Sequence, residues 1–206
     1  MANETGGIAG TAGAIGDAGS GGADGRGVVL APGGGYGPDA PLLKYAGLAA
    51  ERRGASLHAV EWDLDADDVD AMITARVWAA VEDLTAAGAD VTVIVGKSLG
   101  SRAAPVAAEH GLPAVWFTPL LTGEPDVSET VVAALKRTTA PFLLIGGTAD
   151  EWWDGDVARS LTPHVIEIED ANHGMFVPGP LAASAAVLGE VTTAVERFLD
   201  DACWPV

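Results

Sequence analysis

The chain has 206 residues, 49% of them hydrophobic, and a formal net charge of -18 at pH 7. Its length and composition fit one soluble domain with a large core, while its acidic surplus argues against binding to nucleic acids or to anionic membranes. The single cysteine, Cys203, excludes an intramolecular disulfide and most thiolate metal sites, so a cytoplasmic setting is the default expectation.

Residues 1–26 differ in composition from the rest of the chain. They are rich in Gly and Ala and contain almost no large apolar side chains, so they cannot bury enough surface to offset the entropy of ordering. They also lack the basic start and apolar core of a signal peptide. We therefore predict a flexible tail at 1–26 and a single domain at 27–206.

From residue 27 onwards, strand-like and helix-like patterns alternate. The predicted strands are 27–31, 56–61, 91–95, 113–117, 141–145 and 164–168. The predicted helices are 39–53, 67–87, 99–110, 127–138, 154–161 and 181–200. Regular alternation indicates an α/β fold with a mostly parallel sheet of about six strands and helices on both faces. Functional sites in such sheets form at the carboxyl ends of the strands.

The first predicted strand runs into a glycine-rich loop that contains Gly33 and Gly34. Backbone N–H groups of such a loop can bind the oxyanion that forms during acyl transfer. A phosphate-binding loop is the competing interpretation. The spacing of these glycines fits a dinucleotide fingerprint poorly, and the Gly-Lys-Ser at 96–98 lacks the Gly that a P-loop needs at position 91.

The third strand ends in Gly96-Lys-Ser98-Leu-Gly100, which has the G-x-S-x-G pattern of a nucleophile elbow. In that turn the Ser hydroxyl is exposed at the end of the sheet, and the N–H of the next residue, Leu99, is a second oxyanion donor. The pattern alone also fits an ordinary strand-to-helix turn. Lys97 would either steer an anionic substrate, pack, or pair with a neighbouring acid.

Asp150 follows the apolar fifth strand after a Gly-Gly pair. A carboxylate at this position can accept an imidazole N–H and so fix the tautomer of a catalytic histidine. Asp150 would alternatively cap the next helix. Asp154 is the competing acid, although it lies further from the strand.

His173 is the one among four histidines that lies on a Gly-flanked loop after the last strand. The order Ser98, Asp150, His173 is that of α/β-hydrolases. We therefore predict these three residues as a catalytic triad that requires no metal and no organic cofactor.

Three side chains next to these loops are candidates for a substrate pocket: Tyr36, Trp152 and Met175. Ordinary core or rim positions are an equally good interpretation for each. The segment 118–129 is too short for a large lid, so the site is expected to be open.

These motifs together resemble the small α/β-hydrolases of the dienelactone-hydrolase-like group, and more narrowly proteins related to Tex30 and KANL3. The similar segments are the elbow at 96–102, the acid loop at 147–150 and the base loop at 171–173. The family usually has His-Gly where this chain has Ala31-Pro32, which leaves both Gly33 and Gly34 as oxyanion candidates. Dienelactone hydrolases proper use a cysteine nucleophile, so their substrate does not carry over to Ser98.

The predicted function is a serine hydrolase that cleaves a carboxylic ester or thioester of a small acyl substrate through an acyl-enzyme. Two alternatives stay open at this point. One is a non-catalytic binding protein with the same fold, and the other is an acyltransferase or cyclase that uses the same triad.

Overall fold

The structure is a computed structural model that describes residues 25–205. The predicted flexible tail therefore lies almost entirely outside the described residues. The first strand begins at Arg26, and the Gly25 carbonyl accepts hydrogen bonds from the N–H groups of Asp90 and Val91.

Six strands form one sheet in which all neighbouring strands are parallel, in the order β2-β1-β3-β4-β5-β6. The strands are β1 (Arg26–Ala31), β2 (Ser56–Ala59), β3 (Val91–Lys97), β4 (Ala114–Phe117), β5 (Phe142–Gly147) and β6 (Val165–Ile168). Every predicted strand is present. The centre of the sheet is apolar and buried on both faces, which is the composition expected of parallel strands covered by helices.

The helices form a layer on each face of the sheet. They are α1 (Pro41–Glu51), α2 (Val69–Ala86), α3 (Ala104–His110), α4 (Pro125–Arg137), α5 (Gly155–Leu161) and α6 (Leu181–Phe198). Helices α1 and α6 pack on one face, and α2 to α5 pack on the other. Alternate residues of β4 contact opposite layers, since Trp116 belongs to the core beneath α2 to α5 and Phe117 to the core beneath α1 and α6.

Local sequence accounts for several helix starts. Helices α1 and α4 each begin with a proline, whose fixed φ and missing N–H suit the first helical position. Helix α2 begins after Asp68, whose carboxylate accepts a hydrogen bond from the Ala71 N–H at 2.9 Å.

Many element boundaries differ from the sequence prediction by one or two residues. Strand β2 ends at Ala59, two residues before the predicted end at 61, and the following Val60 N–H donates to the Leu30 carbonyl of β1 as the chain leaves the sheet. The helix predicted at 99–110 begins as a 3₁₀ turn at 98–103 and becomes α-helical only at Ala104.

The predicted α/β fold, with helices on both faces and no large lid, is confirmed. The segment 118–124 between β4 and α4 is a loop. None of the helices within residues 25–205 combines the length and the apolar character that crossing a membrane requires.

Candidate active site

Ser98 lies on the sharp turn between β3 and the 3₁₀ segment, with a φ of 50°. Residues other than glycine rarely adopt positive φ, and such backbone strain concentrates at functional sites. The turn directs the Ser98 side chain into an open cleft at the carboxyl edge of the sheet. This is the local geometry of a nucleophile elbow.

The two glycines of the elbow are required for close packing. A Cβ atom on Gly96 would lie 2.5 Å from the ring of Trp116. A Cβ atom on Gly100 would overlap with the Ala31 carbonyl group at the end of β1. The turn therefore approaches its neighbours so closely that only glycine fits at either position.

We expect Gly100→Ala to lower the free energy of unfolding by about 2 kcal/mol or more, because the added methyl group meets backbone rather than a movable side chain. Gly189→Ala is the matched control. Nothing lies near a Cβ atom at this exposed position of α6, so alanine should stabilise the helix by about 0.5–1 kcal/mol. Urea unfolding of both variants measures the difference, and equal effects would contradict the role given to Gly100.

The three residues of the predicted triad meet in this cleft. His173 Nε2 lies 2.8 Å from Ser98 Oγ. His173 Nδ1 lies 2.9 Å from each carboxylate oxygen of Asp150. The Asp150 side chain is fully buried, whereas the His173 side chain is 33% exposed. The arrangement places a base beside a hydroxyl and a carboxylate behind the base, with solvent access to the reacting end.

The backbone that follows β5 fixes the Asp150 carboxylate. The Trp152 N–H donates to Asp150 Oδ1 at 3.0 Å, and the Asp150 N–H donates to the Gly147 carbonyl. The competing acid, Asp154, has a different contact, since its carboxylate caps α5 by accepting from the N–H groups of Asp156 and Val157. The two aspartates thus occupy the two roles that the sequence left open.

A side-chain amide organises the loop that carries His173. Asn172 Oδ1 accepts hydrogen bonds from the N–H groups of Gly174 at 2.9 Å and Phe176 at 3.1 Å. The base of this loop packs against the acid loop so closely that a Cβ atom on Gly147 would overlap with Ala171. The positions of Asp150 and His173 are therefore coupled through their backbones.

The glycine-rich loop after β1 lies beside the elbow. The Gly33 N–H donates to the Tyr36 carbonyl at 3.0 Å, and Gly33 is buried. Gly34 is exposed, and a Cβ atom built on it would lie 3.8 Å from the Leu99 side chain. Both predicted oxyanion glycines line the cleft, and Gly34 is the more exposed of the two.

The three predicted pocket residues occupy two cavities. Tyr36 and Trp152 line the cleft that contains Ser98 and His173, which has a volume of about 510 Å³. Met175 is buried and lines a neighbouring apolar cavity of about 150 Å³ between the starts of α1 and α6. Tyr36 lines both cavities.

Hydrogen bonding and burial fix Tyr36. Its phenolic oxygen accepts the Leu42 N–H at 2.8 Å. Burial raises the pKa of the phenol, and the hydrogen bond from Leu42 offsets part of that rise. The ring is therefore a neutral, fixed wall of the cleft.

Two other reactive side chains differ in their access to this site. Cys203 is buried near the end of the chain, and burial raises the pKa of its thiol to about 12, so its nucleophilic thiolate is suppressed. Lys97 lines the cleft next to Ser98 although the residue is only 5% exposed. Burial lowers the pKa of Lys97 to about 8, against the opposing effect of the Asp150 charge.

Sequence reasoning did not identify two contacts that shape the site. The Trp152 N–H is a backbone donor and leaves no signal in the residue type. The contact made by Asn172 did leave a signal in the sequence, because an Asn before a Gly-containing turn commonly accepts hydrogen bonds from the backbone that follows it.

No protein-family model and no curated protein sequence matches the chain. Solved structures do match its fold. An alpha-beta serine hydrolase homologue from Coxiella burnetii has a TM-score of 0.66 at 15% identity, with 85% of each chain covered. A serine hydrolase without a lid from Xanthomonas campestris has a TM-score of 0.64 at 14% identity, with 85% of this chain and 81% of that one covered.

Est1E from Butyrivibrio proteoclasticus has a TM-score of 0.66 at 14% identity, with 84% of this chain and 86% of that one covered. Matches at identities this low show the fold alone. The narrower resemblance to proteins related to Tex30 and KANL3 stays a prediction. The parallel sheet and these neighbours together establish that the chain adopts the α/β-hydrolase fold.

Proposed function

We propose that the protein is a serine hydrolase that cleaves a carboxylic ester or thioester of a small-molecule acyl substrate through an acyl-enzyme. The observation that carries the proposal is the continuous contact from Ser98 Oγ through the His173 ring to the buried Asp150 carboxylate, at 2.8 and 2.9 Å. Hydrogen-bond distances of this kind are what activation of a serine by a general base requires.

In the proposed reaction, Ser98 Oγ attacks the acyl carbon while His173 Nε2 accepts the hydroxyl proton. Asp150 holds Nδ1–H, which fixes the tautomer and stabilises the imidazolium that forms. The imidazolium then protonates the leaving alcohol or thiol. In the second half, His173 removes a proton from water, the resulting hydroxide attacks the acyl-enzyme, and the acid is released as Ser98 regains its proton.

The oxyanion would be stabilised by backbone N–H groups. We assign the Leu99 N–H, at the N-terminus of the 3₁₀ segment, as one donor, since the first N–H groups of a helix lack helical partners. We assign the Gly34 N–H as the second donor, because the Gly33 N–H already bonds to the Tyr36 carbonyl. Gly33 then acts by holding the loop in shape.

A fluorophosphonate probe tests this proposal. We expect covalent labelling of Ser98, located by peptide mass spectrometry, because the probe reports a serine that a neighbouring base has activated. Ser160→Ala, which removes an exposed serine of α5, should still be labelled, whereas Ser98→Ala should not. Folded protein that resists labelling would favour the non-catalytic binding protein.

A further inference from the structure

The Lys97 ammonium group is a buried charge without a carboxylate partner. The residue is 5% exposed, and within residues 25–205 no Asp or Glu oxygen lies within 4.0 Å of Nζ. Its described neighbour is the ring of Tyr36, whose centroid lies 5.2 Å from Nζ. Such a contact stabilises a cation weakly compared with an ion pair.

An unpaired buried lysine needs a physical reason. Removing a charge from water costs free energy that a partner normally offsets, and buried lysines are rare unless they are paired. An apolar side chain of similar length, such as Met, would fill the same space without that cost. The Asp150 charge acts on Lys97 from beyond ion-pair distance, and the Asp150 carboxylate already bonds to His173. The Lys97 ammonium group is therefore available to pair with a ligand.

The surrounding cleft favours a ligand as that partner. Lys97 lines the same cavity of about 510 Å³ as Ser98 and His173. The second cation of this cavity, Arg102, already bonds through Nε to the Asp70 carboxylate at 2.6 Å. Of these two cleft residues, Arg102 is already paired with a carboxylate and Lys97 is not, so a bound anion would pair with Lys97.

We propose that Lys97 is a specificity-determining residue that pairs with a carboxylate of the substrate, so that the preferred ester or thioester carries a second, ionised carboxyl group. This inference rests on the proposed hydrolase function. A hydrogen bond to a charged group contributes enough to favour the carboxylate substrate about tenfold to a hundredfold over its neutral counterpart.

Two pairs of esters test the inference. The first pair is mono-4-nitrophenyl adipate and its methyl ester, which place the charge on the acyl side. The second is 4-acetoxybenzoate and its methyl ester, which place it on the leaving group. We expect a wild-type preference in kcat/KM of about tenfold or more for the carboxylate member of one pair, after subtraction of uncatalysed hydrolysis.

Lys97→Met should remove that preference, mainly through a higher KM for the carboxylate member. Lys136→Met, which removes an exposed lysine near the end of α4, is the charge-matched control and should keep the wild-type ratio. A ratio close to one in the wild type, or an equal loss on both members of a pair in Lys97→Met, would overturn the inference.

The pH dependence of the ratio gives a readout that a packing role would not change. Because the pKa of Lys97 is about 8, the ammonium group should lose its charge as pH rises from 7 to 9.5, while the substrate carboxylate stays ionised throughout. The wild-type preference should therefore fall over this range, and the small remaining ratio in Lys97→Met should stay flat. The other charged or titratable side chains around the cleft are Tyr36, Arg102, Glu124, Asp150 and His173.

A binding measurement separates this inference from the proposed function. Ser98→Ala protein can be titrated calorimetrically with 4-acetoxybenzoate and with its methyl ester, and neither needs to be turned over. If the acid binds more tightly than the methyl ester, and this difference disappears in the Ser98→Ala, Lys97→Met double variant, the role of Lys97 is supported even if hydrolysis fails. The inference is rejected if the acid and the methyl ester have equal kcat/KM values in the wild type and bind with equal affinity to Ser98→Ala.

Discussion

Ser98→Ala is expected to lower ester turnover by at least about 10⁴-fold, because removing a nucleophile that acts with its base abolishes the covalent route and leaves only residual catalysis by binding and oxyanion contacts. The structural cost should be small. The Ser98 side chain is only partly buried and its described contact is to His173 Nε2. Turnover of a 4-nitrophenyl ester and the melting temperature, measured on the same preparation, check both statements.

Ser101 offers a contrast within the same turn. Its hydroxyl is buried, donates to the Ser98 carbonyl at 2.7 Å and accepts the Leu120 N–H at 3.1 Å. Ser101→Ala should therefore lower the melting temperature more than Ser98→Ala does, while it lowers turnover far less. The oxyanion donors and substrate binding alone should leave far less than a tenth of wild-type turnover. If Ser98→Ala kept more than about a tenth, another residue would have to be the nucleophile.

The edge at which the site forms follows from the sequence. Ser98, Asp150 and His173 each lie within five residues of the end of a predicted strand, and parallel strands end at one edge of a sheet. Their spatial proximity was therefore predictable once the alternation of strands and helices was recognised. The glycines of the elbow were equally informative, because a Cβ atom would meet the Trp116 ring at Gly96 and the Ala31 carbonyl group at Gly100.

Other features depend on contacts that local patterns do not contain. The sequence left Lys97 with three alternatives. In the structure its Nζ lies 5.2 Å from the ring of Tyr36, a residue distant in the chain that is held in place by its bond to the Leu42 N–H. The assignment of Met175 to a cavity next to the cleft depends on how α1 and α6 meet, which is a long-range packing result.

Asp150→Asn should lower turnover by about 10⁴-fold while Ser98 and His173 keep their positions. The asparagine amide would present an N–H₂ group to the side of the ring that now faces two carboxylate oxygens at 2.9 Å. It would favour the wrong tautomer, with the proton on Nε2, and would leave the imidazolium without a counter-charge. The loss should appear in kcat, because the substrate cleft itself is unchanged.

Asp154→Asn is the matched control for this prediction. Asparagine is as good an N-cap as aspartate, so α5 should keep its start and turnover should stay close to wild type. The two substitutions make the same chemical change four positions apart, and they differ in whether the carboxylate meets His173 or a helix N-terminus. Comparable turnover in the two variants would mean that the Asp150 charge does not act through His173.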